Sequence, residues 1–547
     1  RSPAVRIEDG GGYSLIVNSL FHSNAGRPVF APNPTNINRG KLAETPNYVV
    51  VVNSTFALND RPITLENNLS QVHNSLIWKD DLLNDTLTQL VIGSNLWQKR
   101  LSAPQADGAV TNNAMFEVDF SLDQNSNEAL STVNNDVFNG PNFVNPDETA
   151  TLDSMVFARD FHLKPAVKTM NMADTTIYRS LVFSKKYPTV PPISYWARAL
   201  GLKHDVLSVR NDSDLACKPR LLGNGMERGA YECQAVLQRI LYVHHTIKSD
   251  GVSDGSSWRN AFSLDALQDA IDVAAVYTYM NRNVANEESR RSYVFVKGSS
   301  EAQDLNLRII PRDGVNVYGS IEQNFGDTAM IDPVEGQYTD IECQRYLNLV
   351  RAKHFGIVSP MAERTLINGI KAEEADKFKN AFLLDGFQIT QANADQPTII
   401  LKDSLIALRN CVITGNTNTS PIVDLKAGLI YNTLFYGNNT STMIKLGEKG
   451  LVLNCTVVAE NEGELPINSE TDLTTRVLHT IAVNKATDNT DMFAPYTNQG
   501  YFTNLPQFIT SHQPLHYQLV ETSNLINLVD TAWYASLATI NEQFEPW

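Results

Sequence analysis

The feature that most restricts how this chain can fold is a repeat near its C-terminal third. The stretches "RNCVITGN" (409–416), "YNTLFYGN" (431–438) and "LNCTVVAEN" (453–461) place Asn410, Asn432 and Asn454 at intervals of 22 residues. A β-prone apolar pair follows each asparagine: Val412 and Ile413, Leu434 and Phe435, Val457 and Val458. A second short run precedes it (406–408, 429–431, 451–453), and a third lies further back (399–401, 422–423, 443–444). Repeats of this length, built of short strands without helical periodicity, are the signature of a parallel β-solenoid. A single coil cannot bury its apolar face, so coils must stack about 4.8 Å apart. An asparagine returning at one column suits a sharp corner, where its side chain bonds the local backbone and the next coil. Asn410, Asn432 and Asn454 are therefore expected to be structural, with a ligand role as the rival reading.

The first half repeats more loosely. "VNSLFHSN" (17–24), "VNSTFALND" (52–60) and "HNSLIWKDD" (73–81) each set Asn-Ser before an apolar pair, with Asn53 and Asn74 separated by 21 residues. The longer step from Asn18 to Asn53 predicts one coil carrying a long loop. At 547 residues the chain is long enough for two or more domains. Its formal charge of −16 argues against nucleic acid and anionic membrane surfaces as partners. No apolar run reaches the roughly 20 residues of a membrane span. Five cysteines without CxxC spacing make neither a disulfide framework nor a zinc site. Cys217 and Cys233 either pair or stay as free thiols.

Some segments between and after the repeats resemble a known family. Asp254, Gly255, Ser257, Trp258 and Ala261 stand ahead of an amphipathic pattern at Leu264, Leu267, Ile271 and Ala274. "YVFVKG" (293–298), "VNVYGSI" (315–321) and "FLLDGFQIT" (382–390) follow. "PNFVNP" (141–146), "DFHL" (160–163) and a "DLACKPR…GAYE" tail (214–232) read as closing elements, as do "LPQFIT" (505–510) and "HYQL" (516–519). Together these resemble the choice-of-anchor Q domains, surface proteins of Bacteroidetes type within the pectate-lyase-like right-handed parallel β-helix superfamily. Cys217 stands where that family usually has glycine and Glu227 where it has aspartate. The resemblance implies an all-β fold of two right-handed parallel β-helices in tandem. Residues 1–233 would be the C-terminal coils and closing tail of the first, whose opening segment is expected to precede Arg1. Residues 240–547 would be the second, with Trp258 in its opening and a capping helix near 264–275.

Sugar-cleaving β-helices carry paired carboxylates, or a basic residue with calcium-binding acids, on neighbouring outward columns. In the 22-residue register, Lys426 and Glu448 share a column and predict an exposed ion pair, and no second acid stands within one coil of Asp424. No catalytic residue is assigned. "EDGGG" (8–12) and "SDGVSDG" (249–255) match no calcium loop and read as turns. His244 and His245, adjacent on a strand, face opposite sides and make a poor ligand pair. No metal or cofactor is expected. Trp78, Trp97, Tyr431 and Tyr436 sit in or beside strand runs, either as stacking platforms for sugar or as packing between coils. The resulting expectation is an extracellular or cell-surface protein anchored at the outer membrane by a part outside this sequence. It would act as a non-enzymatic adhesin or scaffold that binds surface glycan or another outer-membrane protein, the alternative being a polysaccharide lyase or glycoside hydrolase of the same fold.

Overall fold

The computed structural model describes residues 3–7, 13–31, 48–59, 63–65, 71–78, 110–111, 137–138, 141–146, 159–167, 169–173, 213–221, 225–244, 253–284, 291–298, 302–304, 309–321, 356–358, 381–390, 393–469, 476–478 and 480–484. Among these residues the protein is all-β, a parallel β-solenoid of about ten turns with almost no helix. The chain divides into two compact units, Arg1–Leu237 and Gln238–Trp547.

In the C-terminal unit a ten-stranded sheet runs from Phe262–Ser263 and Ile240–His244 through Ser292–Lys297, Val315–Ile321 and Phe382–Asp385. It continues through Ile399–Arg409, Val423–Tyr431 and Thr442–Leu453, on which Leu465–Ser469 and Val477–Leu478 both pair. A seven-stranded sheet contains Gln388–Thr390, Val412–Thr414, Leu434–Tyr436, Thr456–Ala459 and Ile481–Asn484. A third, narrow sheet joins Asn393–Ala394 to Thr417–Asn418. The pairing is parallel and links each coil to the next.

Coil period and core follow from that register. Leu241, Val294, Val317, Leu384, Leu408, Ile430, Val452 and Val477 are successive cross-strand partners. All are at most 1% exposed. A second internal row is Ile389, Ile413, Phe435, Val457 and Ala482. Each stacked aliphatic side chain removed from water contributes about 1.5–3 kcal/mol, which is how coils with no separate core hold together.

Two of the three strand runs expected per repeat are one strand. Ile399–Arg409, Val423–Tyr431 and Thr442–Leu453 each pass through a register shift at 402–407 or 425–427 without breaking. A bulge adds residues and bends a strand while pairing continues on both sides, so a polar gap in the apolar pattern does not end it. The same shift moves Glu448 out of the column of Lys426. The ion pair that forms is Lys426 Nζ to Asp424 Oδ2 at 3.4 Å, two residues back on the same strand.

The helix α1 spans Leu267–Met280 after a short 3-10 turn, Leu264–Ala266, and is longer than expected. Ile271, Ala274, Ala275 and Thr278 continue one buried stripe past residue 275. Asn281 ends it, its Nδ2 donating to Tyr277 O at 2.9 Å. Gln268 exchanges two hydrogen bonds with the Ile310 backbone, and Arg312 Nε donates to Asp272 Oδ1 at 2.7 Å. Ahead of α1, the Asp254 carboxylate accepts from Ser256 N and Gly255 O accepts from Tyr242 N at 3.1 Å. Gly255 has φ +77°, and a Cβ there would meet the Phe262 ring at 2.4 Å, so glycine is required in this turn. Half-buried Trp258 meets the Tyr242 ring edge-on at 4.9 Å and packs against the Ile240, Tyr242, Tyr293 and Phe295 cluster.

In the N-terminal unit the parallel strands Leu20–His22, Thr55–Ala57 and Leu76–Trp78 pair Leu20 with Thr55 and Thr55 with Leu76. Their spacing reproduces the long step and the short step between the asparagines. Phe143–Asn145 and Asp160–Leu163, the first two closing elements, form an antiparallel pair. Phe143 and Phe161 pack edge-on at 5.2 Å, and Phe143 in turn packs on Trp78 at 5.3 Å.

Candidate functional site

Corner asparagines organise both units. Asn18, Asn53, Asn74, Asn410, Asn432 and Asn454 all have φ between +47° and +52°. Asparagine is the side-chain-bearing residue that tolerates this left-handed region best. Asn432 Nδ2 donates to Asn410 Oδ1 at 2.6 Å, and Asn410 Nδ2 to Asp385 Oδ2 at 3.1 Å. Asn432 is nevertheless exposed, so water can replace its bond.

The buried ladder is a second asparagine column six residues later. Asn438 Oδ1 accepts from Asn416 N (3.1 Å) and Asn416 Nδ2 (2.8 Å), while Asn438 Nδ2 donates to Ile413 O (2.8 Å). Asn59 makes the same three contacts in the N-terminal unit, with Asn24 N, Asn24 Nδ2 and Phe21 O. Ser23, Leu58, Gly415 and Gly437, each just before these asparagines, also have positive φ. The motif is thus an asparagine corner, three strand residues and a second left-handed corner.

A third column follows the first asparagine directly. Ser54, Ser75, Thr433 and Thr480 each accept from the backbone N–H of the preceding coil's residue in that column, at 3.1–3.4 Å. Ser54, Thr433 and Thr480 also donate to the carbonyl two residues back, at 2.9–3.0 Å. Cys411 and Cys455 fill the same column and point their thiols at Arg409 O and Leu453 O. Burial pushes the Cys455 thiol up to about 12, which removes it from thiolate chemistry. Cys217 and Cys233 are free thiols, the first exposed and the second buried.

The 213–232 segment is held by a turn and a buried arginine. Asp214 Oδ1 accepts from Ala216 N and Lys218 N and folds a tight turn, with Cys217 at φ +61°. A glycine is the natural occupant of that position. The turn delivers Arg220, fully buried, whose guanidinium bonds Glu232 Oε1 (2.8 Å), Asn18 Oδ1 (2.6 Å) and the carbonyls of Gly229 and Ala230. Gly229 N donates to Asn74 O and Ala230 N to Thr55 Oγ1. The segment therefore docks on the asparagine corners of the first unit.

The outward faces are where an external partner can reach. On the seven-stranded sheet Ile413 and Phe435 point inward, which turns Val412, Thr414, Leu434 and Tyr436 outward and leaves them half-exposed. Val412, Leu434, Thr456 and Ile481 lie in register on one half-exposed row, with Thr414 and Tyr436 beside it. On the ten-stranded sheet Tyr431 packs instead against the buried outer row Leu383, Ala407, Leu429, Leu453 and Leu478. Trp78 is fully buried and belongs to the core rather than to a platform, because Phe143 covers its ring. Trp97 lies outside the described residues. Among the three described aromatics, Tyr436 is the one on the outward face of the seven-stranded sheet, and Tyr431 lies on a different sheet.

No described cluster suggests metal chemistry. Asp424 has Ile400 and Lys445 as its cross-strand neighbours. His244 is buried and meets Lys297 Nζ through Nε2 at 2.8 Å; His245 lies outside the described residues. Among those residues no group of three or more His, Cys, Asp or Glu is arranged to hold a metal ion, and no helix is long and apolar enough to cross a membrane. No family model, curated protein or solved structure matches this chain.

Proposed function

We propose that the protein is a non-enzymatic cell-surface scaffold that binds an extended surface glycan along its coils. It is built as two right-handed parallel β-helices in tandem, with α1 capping the core of the second and the 213–232 segment closing the first. The observation that carries the binding role is the half-exposed row Val412, Leu434, Thr456 and Ile481, flanked by Thr414 and Tyr436. Stacked coils repeat this row about every 4.8 Å, which offers a flat, apolar-edged strip with an aromatic ring and a hydroxyl to a polymer lying along it. A pull-down against immobilised acidic and neutral polysaccharides tests the role, and Tyr436→Ala should weaken binding about tenfold, the effect of about 1.4 kcal/mol of lost ring contact. Equal binding by wild type and variant would remove this face from the proposal. Unsaturated or reducing ends released during the same incubation, with or without calcium, would replace it by a lyase or hydrolase.

A further inference from the structure

We propose that Glu227 and Glu232 hold one proton between them, and that this shared proton keeps the 213–232 segment latched on the asparagine corners of the N-terminal unit, so that raising the pH releases it. Glu227 is 2% exposed and Glu232 4%, and Arg220, the cation paired with Glu232, is fully buried. Glu232 is supplied with donors on both oxygens: Arg220 Nη1 on Oε1 at 2.8 Å and the Glu227 backbone N–H on Oε2 at 2.9 Å. Glu227 has one long contact, from Asn171 N at 3.3 Å on Oε1, while its Oε2 is buried with no hydrogen-bond partner among the described residues. Two carboxylates beside one guanidinium leave a buried negative charge uncompensated, at a cost that neutralisation avoids.

Among the described residues, Arg220 is the cation whose charge acts on both carboxyls. Asp214 is a further anion, holding the Glu232 backbone N–H on its Oδ2. Arg228, also buried, directs its Nε to Met172 O. Asn18, Asn53 and Asn171 are neutral. Burial first raises both carboxyls above the ordinary 4.5, and for Glu232 the charge of Glu227 adds to it. The donors on Glu232 place the proton on the Glu227 side, although the two titrate as one unit.

The sign is opposite to that of an ordinary salt-bridged carboxylate. A raised carboxyl pKa in the folded state gives stability that is whole below about 4.5 and is lost as pH climbs through the raised value. His22 acts the other way and only below its ordinary 6.5, since burial and then Arg159 lower its pKa. A loss of protection with rising pH therefore reports the latch, since His22 costs stability only as pH falls.

Hydrogen exchange on the full chain reads it at the Gly229 and Ala230 amides, which bond Asn74 O and Thr55 Oγ1. After correction for intrinsic exchange, their opening should increase by up to about tenfold per pH unit as pH rises from about 4.5 towards the raised value. Glu227→Gln, whose amide supplies the donor without titrating, should flatten that dependence. An identical pH profile in wild type and Glu227→Gln would overturn the proposal. If the variant does not fold, infrared difference spectra of the wild type decide: a carboxylic-acid carbonyl band should vanish over the same pH range in which protection falls, and its absence sinks the latch.

Discussion

Replacing Asn438 should cost far more than replacing Asn432, although the two occupy equivalent-looking asparagine positions in one repeat. Asn438 is 2% exposed and Asn416 fully buried. In Asn438→Ala, the Asn416 backbone N–H loses the acceptor Oδ1 and the Ile413 carbonyl loses the donor Nδ2. The Asn416 side chain itself remains bonded to Ile389 O and Thr414 O. Each buried group left without its partner costs about 1–3 kcal/mol, so the loss should be about 3 kcal/mol. In Asn432→Gly the only side-chain bond removed is the exposed one to Asn410, and glycine adopts φ +47° without strain. Its cost should stay under about 1 kcal/mol. Urea titrations compare the two directly, provided the m-values match wild type. Similar losses in both variants, or less than about 1 kcal/mol for Asn438→Ala, would refute the assignment of the buried ladder.

Other consequences are simpler to check. Cys217→Gly should stabilise the protein by about 0.5–1 kcal/mol in thermal melting, because φ +61° strains any residue with a Cβ. Gly229→Ala should destabilise by about 2–3 kcal/mol, since the new Cβ would meet Leu76 Cδ1 at 2.8 Å and Thr55 Oγ1 at 2.9 Å at φ +103°. Alkylation of the native protein followed by peptide mapping should modify Cys217 and spare Cys411 and Cys455, the last held up to about 12 by burial; rapid labelling of Cys455 would contradict the closed column.

How far the sequence can be read depends on which features are periodic. The 22-residue spacing and the asparagine corners were legible because a left-handed φ selects one residue type and the selection returns every coil. The second asparagine column stands in the same quoted stretches, at Asn24, Asn59, Asn416 and Asn438, and the Ser/Thr/Cys column directly follows each corner. Both columns are present in the sequence but do not stand out there, because polar residues at strand ends look like ordinary turns. Exposure of Asn432 was not legible, since it depends on which side of the corner faces solvent. Pairing of Lys426 with Asp424 was hidden by a bulge that no residue pattern marks. Trp78 shows the limit for binding sites: a tryptophan in a strand reads alike as core or platform until Phe143, far along the chain, is seen to cover it.

Cross-coil disulfide formation tests the stacked register most directly. In a background with Cys217 replaced by serine, Leu434→Cys with Thr456→Cys joins half-exposed outward residues that are cross-strand partners. Neighbouring parallel strands lie about 4.8 Å apart, inside the Cα range a disulfide accepts. Leu434→Cys with Ile481→Cys joins the same row two coils apart, beyond that range at about 9.6 Å. Mild oxidation and peptide mapping should find the 434–456 bond and no 434–481 bond. A 434–481 bond forming as readily, or no bond in the first pair, would contradict a solenoid whose coils stack in this register.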